Sequence, residues 1–231
     1  MSAPKQTVLI SGASRGIGAE FVHQYAAAGW RVHAGCRHPE DAAALGGLGE
    51  DVVLHTLQVD DKASIDRLAR ELKGEPIDLL IANAGVSGPR AMAPEAVDRE
   101  SWIEVLQVNA IAPLALAGAF RPHLEKGKGR KAVAISSRLG SMAANDSGGL
   151  YAYRSSKAAL NAVWRSLSVD WQAPGIACLV LHPGWVRTDM GGPRADISPE
   201  ESVAGMRRVI DRPGAETNGR FFSWDGAEIP W

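Results

Sequence analysis

Six strand-sized runs of β-branched and aliphatic residues alternate with helix-length stretches along this chain, and no other feature restricts the fold as much. The runs are Thr7 to Ile10, Arg31 to Cys36, Val52 to Val59, Ile77 to Asn83, Lys131 to Ser136 and Ala177 to His182, with a last strand-like piece at Arg220 to Ser223. Between them lie Ile17 to Ala28, Ser64 to Leu72, Arg99 to Phe120, Leu150 to Trp171 and Pro199 to Ile210. The runs are continuously apolar rather than alternating, which predicts strands covered on both faces. Right-handed crossovers then wind the helices onto both sides of a parallel sheet. The expected fold class is α/β, a doubly wound parallel sheet of about seven strands with helices on both faces.

Size and composition narrow the function classes. A chain of 231 residues with no Pro/Gly/Ser linker and no internal repeat is expected to form a single domain, 1–231. Hydrophobic residues make up 45%, ample for one core, so disorder is excluded. Lys and Arg total 25 against 26 Asp and Glu, a balance that argues against a nucleic-acid partner bound through its phosphates. The longest charge-free apolar run, Ala110 to Phe120, has 11 residues and contains Pro113. A membrane-spanning helix needs about 18 or more, so no membrane partner is expected. Only Met1 to Gln6 precede the first run, and no secretory leader is expected. The two cysteines, Cys36 and Cys178, make no disulfide framework, and the expected location is cytoplasmic. His33, Cys36 and His38 lie close together, but further ligands at zinc spacing are missing, and no metal is expected.

After the first run comes Ser11-Gly12-Ala13-Ser14-Arg15-Gly16-Ile17-Gly18, followed by Ile17, Phe21 and Tyr25 at helical spacing. Glycines here let a backbone turn sharply and approach a pyrophosphate, with the free amides of a helix start aimed at its charge. The commoner fingerprint, with glycines at relative positions one, three and six, fails because Ser14 and Ile17 stand where glycines would. The second run ends at Cys36-Arg37-His38, with no acidic residue for a ribose 2′-hydroxyl. Arg37 offers a cation for a 2′-phosphate instead, and Arg15 a second one. One charge-assisted hydrogen bond of roughly 1.5 to 3 kcal/mol gives about ten- to more than a hundredfold in affinity. NADPH is the expected cofactor.

Tyr153 and Lys157 are four residues apart on one expected helix face, whereas Tyr151 points away from Lys157. A phenol with a pKa near 10 needs a neighbouring cation to exchange protons near neutrality. At about 4 Å and an effective dielectric near 20, a unit charge supplies around 4 kcal/mol, roughly three pKa units. Ser137 ends the fifth run, at the same sheet edge as the glycine loop. Asn83-Ala84-Gly85 ends the fourth. Asn109 sits inside a helix, where asparagine indicates a local distortion or a side-chain bond. His182-Pro183-Gly184-Trp185-Val186-Arg187-Thr188 follows the sixth run and reaches the far end of a ligand lying along that edge. Met142, Trp185 and Met190 fall in loops above it.

These pieces, in this order, resemble the classical short-chain dehydrogenase/reductase family over nearly the whole chain. Gly149 to Asp170, His182 to Gly192 and the stretch from Trp224-Asp225-Gly226 to Pro230-Trp231 resemble its C-factor and sniffer-type carbonyl reductase subgroup. The resemblance implies a Rossmann-type sheet and a hydride transfer that reduces a small aldehyde, ketone or quinone. Tyr153 would exchange the proton, Ser137 bond the carbonyl oxygen, Lys157 hold the ribose and lower the tyrosine pKa, and Asn109 position a relay water. It further implies cofactor contacts at Gly12, Ser14, Arg15, Gly16, Ile17, Arg37, Asp60, Asn83, Ala84, Gly85, Asn109, Tyr153, Lys157, Pro183, Gly184, Val186 and Thr188. Pairing into a homodimer or homotetramer through the helices Arg99 to Phe120 and Leu150 to Trp171 is also implied. The interval of 16 from Ser137 to Tyr153 is longer than in many members, with the extra residues expected in Ala143 to Gly149. That leaves Ser136 and Ser141 as alternatives for the serine role. A sensor that binds NADP(H) with little turnover is the alternative function.

Overall fold

Seven strands form one sheet in the order β3-β2-β1-β4-β5-β6-β7, with every neighbouring pair parallel. They are β1 (Thr7–Ser11), β2 (Arg31–Cys36), β3 (Val52–Thr56), β4 (Leu79–Ala82), β5 (Lys131–Ile135), β6 (Ala177–His182) and β7 (Phe221–Ser223). The helices are α1 (Gly16–Ala27), α2 (Lys62–Glu71), α3 (Arg99–Leu106), α4 (Ala112–Lys126), α5 (Tyr151–Asp170), α6 (Pro199–Ile210) and the short α7 (Gly214–Thr217). This computed structural model describes residues 5–42, 45 and 47–231, so the expectation placed on Met1 to Gln6 falls largely outside it.

Two cores lie on opposite faces of the sheet, which is why the strands carry no polar alternation. Val8 and Ile10 pack with Phe21, Tyr25, Val203 and Met206 under α1 and α6. Their neighbour Leu9 points the other way, into Leu116, Phe120, Leu160 and Trp164 from α4 and α5. His33 joins that second face, within 2.9 Å of His55 and 3.1 Å of Glu75, while Cys36 is buried in the first core.

The structure departs from the sequence reading where backbone partners are taken elsewhere. β3 stops at Thr56 rather than Val59, and the Leu57 amide still reaches Cys36 O at 2.8 Å while its side chain crosses Gly35. β4 begins at Leu79 because the two residues before it serve as anchors. The Ile77 amide donates to His123 O, and the Asp78 carboxylate collects the amides of Thr7, Lys128 and Gly129 at 2.7–2.9 Å. The helix expected over Arg99 to Phe120 is interrupted by one π-helical turn, Gln107–Ile111, centred on Asn109, and continues to Lys126. Together Arg99–Lys126 make 28 residues, long and apolar enough by composition to cross a bilayer, but half of the most apolar window is buried inside the fold.

Helix starts separate scaffold from site. Asp61, Asp98 and Ser198 cap α2, α3 and α6 through their side chains, as N-cap residues do. At α1 the N-cap is Arg15, whose side chain makes no capping bond. Beyond β7 the chain folds back antiparallel through a Phe222–Glu228 bridge, with Ile229 N donating to Phe221 O and Trp231 stacked on Phe221.

Candidate active site

The site is built where β1, β4, β5 and β6 end side by side. Ser11 closes β1, and its hydroxyl accepts the amides of Asn83 and Ala84 at 3.1 and 3.3 Å. The Asn83 side chain donates back to Ser11 O and Gly12 O. These bonds draw the glycine loop onto the β4 loop so closely that a Cβ on Gly12, whose φ is +66°, would lie 2.7 Å from Ala84 Cα. Gly85 sits one residue further, where a Cβ would meet Asn109 Oδ1 at 3.1 Å and Lys157 Nζ at 3.5 Å. Arg37 and Asp60 are exposed just past β2 and β3. A glycine cradle, an uncapped helix start and an exposed cation after β2 fit a phosphorylated dinucleotide laid along this edge.

Lys157 is buried on α5, and its ammonium donates to Ile135 O at 2.9 Å. Burial pulls its pKa down to about 8. Its Nζ lies 5.9 Å from the Tyr153 ring centre, so both side chains share one helix face as expected, while Tyr151 is exposed. The family resemblance implies that the lysine lowers the tyrosine pKa. In this structure burial raises the Tyr153 pKa, with the Ser137 hydroxyl opposing. The reason is geometric: the ammonium is turned to the end of β5, and the phenol is desolvated.

The two alternatives to Ser137 are both committed to the scaffold. Ser136 Oγ donates to Asn161 Oδ1 at 2.7 Å, and Ser141 Oγ donates to Pro230 O at 2.6 Å. Ser137 Oγ accepts the Leu139 amide at 3.2 Å, starting a short 3-10 turn over Arg138–Gly140. Asn109 is fully buried, and its side chain is a stitch: Oδ1 accepts from Val86 N, while Nδ2 donates to Val86 O and Ser156 Oγ. Ser156 Oγ in turn donates to Tyr153 O.

After β6, Pro183 O accepts the Ser202 hydroxyl, and Gly184 runs at φ +87° beneath Trp224. Val186 is buried and bridges to Ile197. Thr188 comes back over the glycine loop, its methyl 3.1 Å from where a Gly16 Cβ would be. Arg15, assigned to the cofactor from sequence, pairs here with Asp189 at 3.2 Å, both exposed. Ser14 and Ile17 flank it on the same loop, half-buried. A cavity of about 510 Å³ opens between these loops, lined by Arg15, Gly85, Arg90, Glu104, Val105 and Met190.

Sequence reasoning missed Asn161 and Arg154. Asn161 is four residues past Lys157, and its amide also donates to Gly140 O, so that spacing was a usable signal. Arg154 ties Leu139 O, Gly148 O and Ser147 Oγ, which no local pattern announces.

The doubly wound sheet, the glycine loop and the Ser-Tyr-Lys cluster define an oxidoreductase. The short chain dehydrogenase family profile matches residues 6–197, and the chain belongs to that family. It is 48% identical to the C-signal of Myxococcus xanthus over 156 residues, 68% of this chain and 93% of that protein. Among solved structures, the carbonyl reductase Sniffer of D. melanogaster superposes with a TM-score of 0.91 at 33% identity, covering 99% of this chain and all of that one. An NADPH-bound carbonyl reductase from chicken fatty liver gives 0.91 at 36% identity, with the same coverage.

Proposed function

We propose that the protein is an NADP(H)-dependent reductase of aldehydes, ketones or quinones, with Tyr153 as the proton donor. The observation that carries this reading is the convergence of Ser137, Tyr153 and Lys157 beside Gly85. Its likeness to carbonyl reductases over nearly the whole chain supports it. When bound, NADPH supplies the hydride. Ser137 Oγ accepts the Leu139 amide and hydrogen-bonds the Tyr153 phenol, so its hydroxyl stands beside the acid and would bond the same substrate oxygen. Tyr153, its pKa raised by burial, is protonated at neutral pH and is therefore the correct acid for reduction. It gives its proton to the oxygen as the carbon is reduced, and the product is the alcohol.

Lys157 then stabilises the phenolate left behind. Asn109 holds the β4 loop against α5 through Val86 and Ser156, which keeps Gly85 beside Lys157. The cradle residues Gly12, Ser14, Gly16, Ile17, Asn83 and Ala84 receive the pyrophosphate end. Pro183, Gly184, Val186 and Thr188 border the nicotinamide end, and Arg37 meets the 2′-phosphate. Copies pair through α3 to α5, whose surfaces expose Ile103, Ile111, Leu114 and Val169.

The test is parallel titration with NADPH and NADH, then absorbance decay at the nicotinamide band with aldehydes, ketones and quinones. Preferential NADPH binding with carbonyl-dependent oxidation is expected, and Tyr153→Phe should lose about 10²-fold or more in kcat with NADPH affinity unchanged. A Tyr153→Phe enzyme at wild-type rate refutes the assignment. The likeness to C-signal favours a second reading, a signalling module that binds NADP(H) without turnover. Tight NADPH binding with no carbonyl or alcohol turned over would decide for it.

A further inference from the structure

Gly140 closes the short 3-10 turn that Ser137 opens, and the two are tied together. The Leu139 amide donates to Ser137 Oγ at 3.2 Å and the Gly140 amide to Ser137 O at 2.8 Å. One face of α5 holds this turn. Arg154 donates to Leu139 O at 3.5 Å, and Lys157 Nζ donates to Ile135 O at 2.9 Å, just before the turn. Asn161 donates to Gly140 O at 3.2 Å and accepts from Ser136 Oγ at 2.7 Å. The three residues stand at i, i+3 and i+7, which is a single helix face. Tyr153 is on the same helix, so the seating of the turn on α5 decides where Ser137 stands against the phenol.

Where turn and helix meet there is no room for a side chain. Gly140 is buried, and a Cβ there would lie 2.8 Å from both Lys157 C and Lys157 Cβ and 3.0 Å from Lys157 O. Two carbons pack at roughly 3.5 Å or more, so an added methyl would push the turn off the helix by about 0.7 Å. The atoms it meets are backbone and the root of a side chain, and neither can swing aside. Gly140 is not among the glycines at positive φ, so space rather than backbone torsion demands glycine there.

We infer that Gly140 is a positioning residue, whose missing side chain sets the approach of Ser137 to Tyr153 and Lys157. The inference rests on the reductase reading. Gly140 acts through Ser137 and touches neither substrate nor cofactor in that mechanism. Reacting groups tolerate little displacement, and a misplacement near 1 Å costs up to about a hundredfold in rate. A second effect has a definite sign. The Ser137 hydroxyl lowers the Tyr153 pKa, so drawing it away lets that pKa rise. In the reverse reaction the phenol must first lose its proton, and the oxidation rate would then climb at higher pH.

The experiment measures Tm, NADPH affinity and rate for wild type, Gly140→Ala and Gly129→Ala. Rates are read for reduction of benzaldehyde, or of whichever carbonyl wild type reduces fastest, and for the reverse oxidation with NADP+ across pH. Gly129, before β5 at the opposite edge of the sheet, is packed as tightly, with a Cβ 2.7 Å from Asp78 O, and controls for packing damage alone. Gly140→Ala should lose about ten- to a hundredfold in kcat at unchanged NADPH affinity, with the oxidation limb moved to higher pH. Gly129→Ala should lower Tm and leave the limb in place. A folded Gly140→Ala with wild-type kcat, or with lower kcat and an unmoved limb, overturns the positioning role and leaves the reductase reading intact. A limb that moves equally in Gly129→Ala overturns it as well. If Gly140→Ala does not fold, Arg154→Gln decides, because it loosens the turn without adding an atom. A limb moved to higher pH in Arg154→Gln supports the role, and an unmoved one overturns it. Absence of turnover with every carbonyl overturns the reductase reading and this inference with it.

Discussion

Asn161→Ala should be among the most damaging conservative truncations in this protein, although the residue touches neither substrate nor cofactor in the mechanism above. Its side chain is 3% exposed and joins Ser136 Oγ at 2.7 Å to Gly140 O at 3.2 Å. Removing it leaves a hydroxyl and a carbonyl without partners in a dry interior. At about 1–3 kcal/mol for each orphaned group, the cost is about 2–4 kcal/mol once Ser136 reorients. For a chain of this size that corresponds to a fall in Tm of roughly 5–15 °C. Urea unfolding would read it as a lower midpoint at constant slope. Ser136→Ala should be milder, and the pair Ser136→Ala with Asn161→Ala should show a coupling of about 1–2 kcal/mol. Because Gly140 and Ser137 belong to the same turn, kcat should also fall while NADPH affinity is retained. A loss under about 0.5 kcal/mol, or strict additivity of the two substitutions, would refute the bridging role.

Arg37→Asp should shift preference from NADPH toward NADH by about ten- to a hundredfold, read from the ratio of the two dissociation constants; an unchanged ratio removes Arg37 from the 2′-phosphate site. Stability should fall in acid partly through His182, whose pKa burial pulls down to about 4 against an unfolded value near 6.5. The unfolded chain takes up the proton first, so stability is complete above pH 6.5 and declines as pH drops toward 4, by about 3 kcal/mol in all. Urea midpoints at pH 7.5 and 4.5 should therefore differ less in His182→Asn than in wild type, and equal differences in both would contradict this linkage.

The doubly wound parallel sheet, covered on both faces, was legible because burial on two faces leaves uninterrupted apolar runs, as at Val8, Leu9 and Ile10. Asn109 was legible for a related reason: an asparagine in a helix needs an account, and the π turn with its bonds to Val86 and Ser156 supplies one. The Tyr153 and Lys157 spacing carried over directly, since a helix leaves their relative placement little freedom. What stayed hidden depends on distant partners. Nothing near Ser141 indicates that Pro230 and Trp231 take its hydroxyl, and nothing near Arg15 indicates Asp189. The direction of the Tyr153 shift is hidden for the same reason, because desolvation by distant packing decides it rather than the charge four residues on.

The antiparallel return beyond β7 bears on how copies of this protein meet. A terminal strand of a sheet normally offers free amides and carbonyls on which another chain can extend the ladder. Along β7 those groups are already engaged by the protein's own Ala227–Ile229, and the Arg220–Glu228 ion pair flanks them with charge. A second chain adding to the ladder on β7 itself would have to displace that return. A partner arriving at β7 would have to bind through side chains.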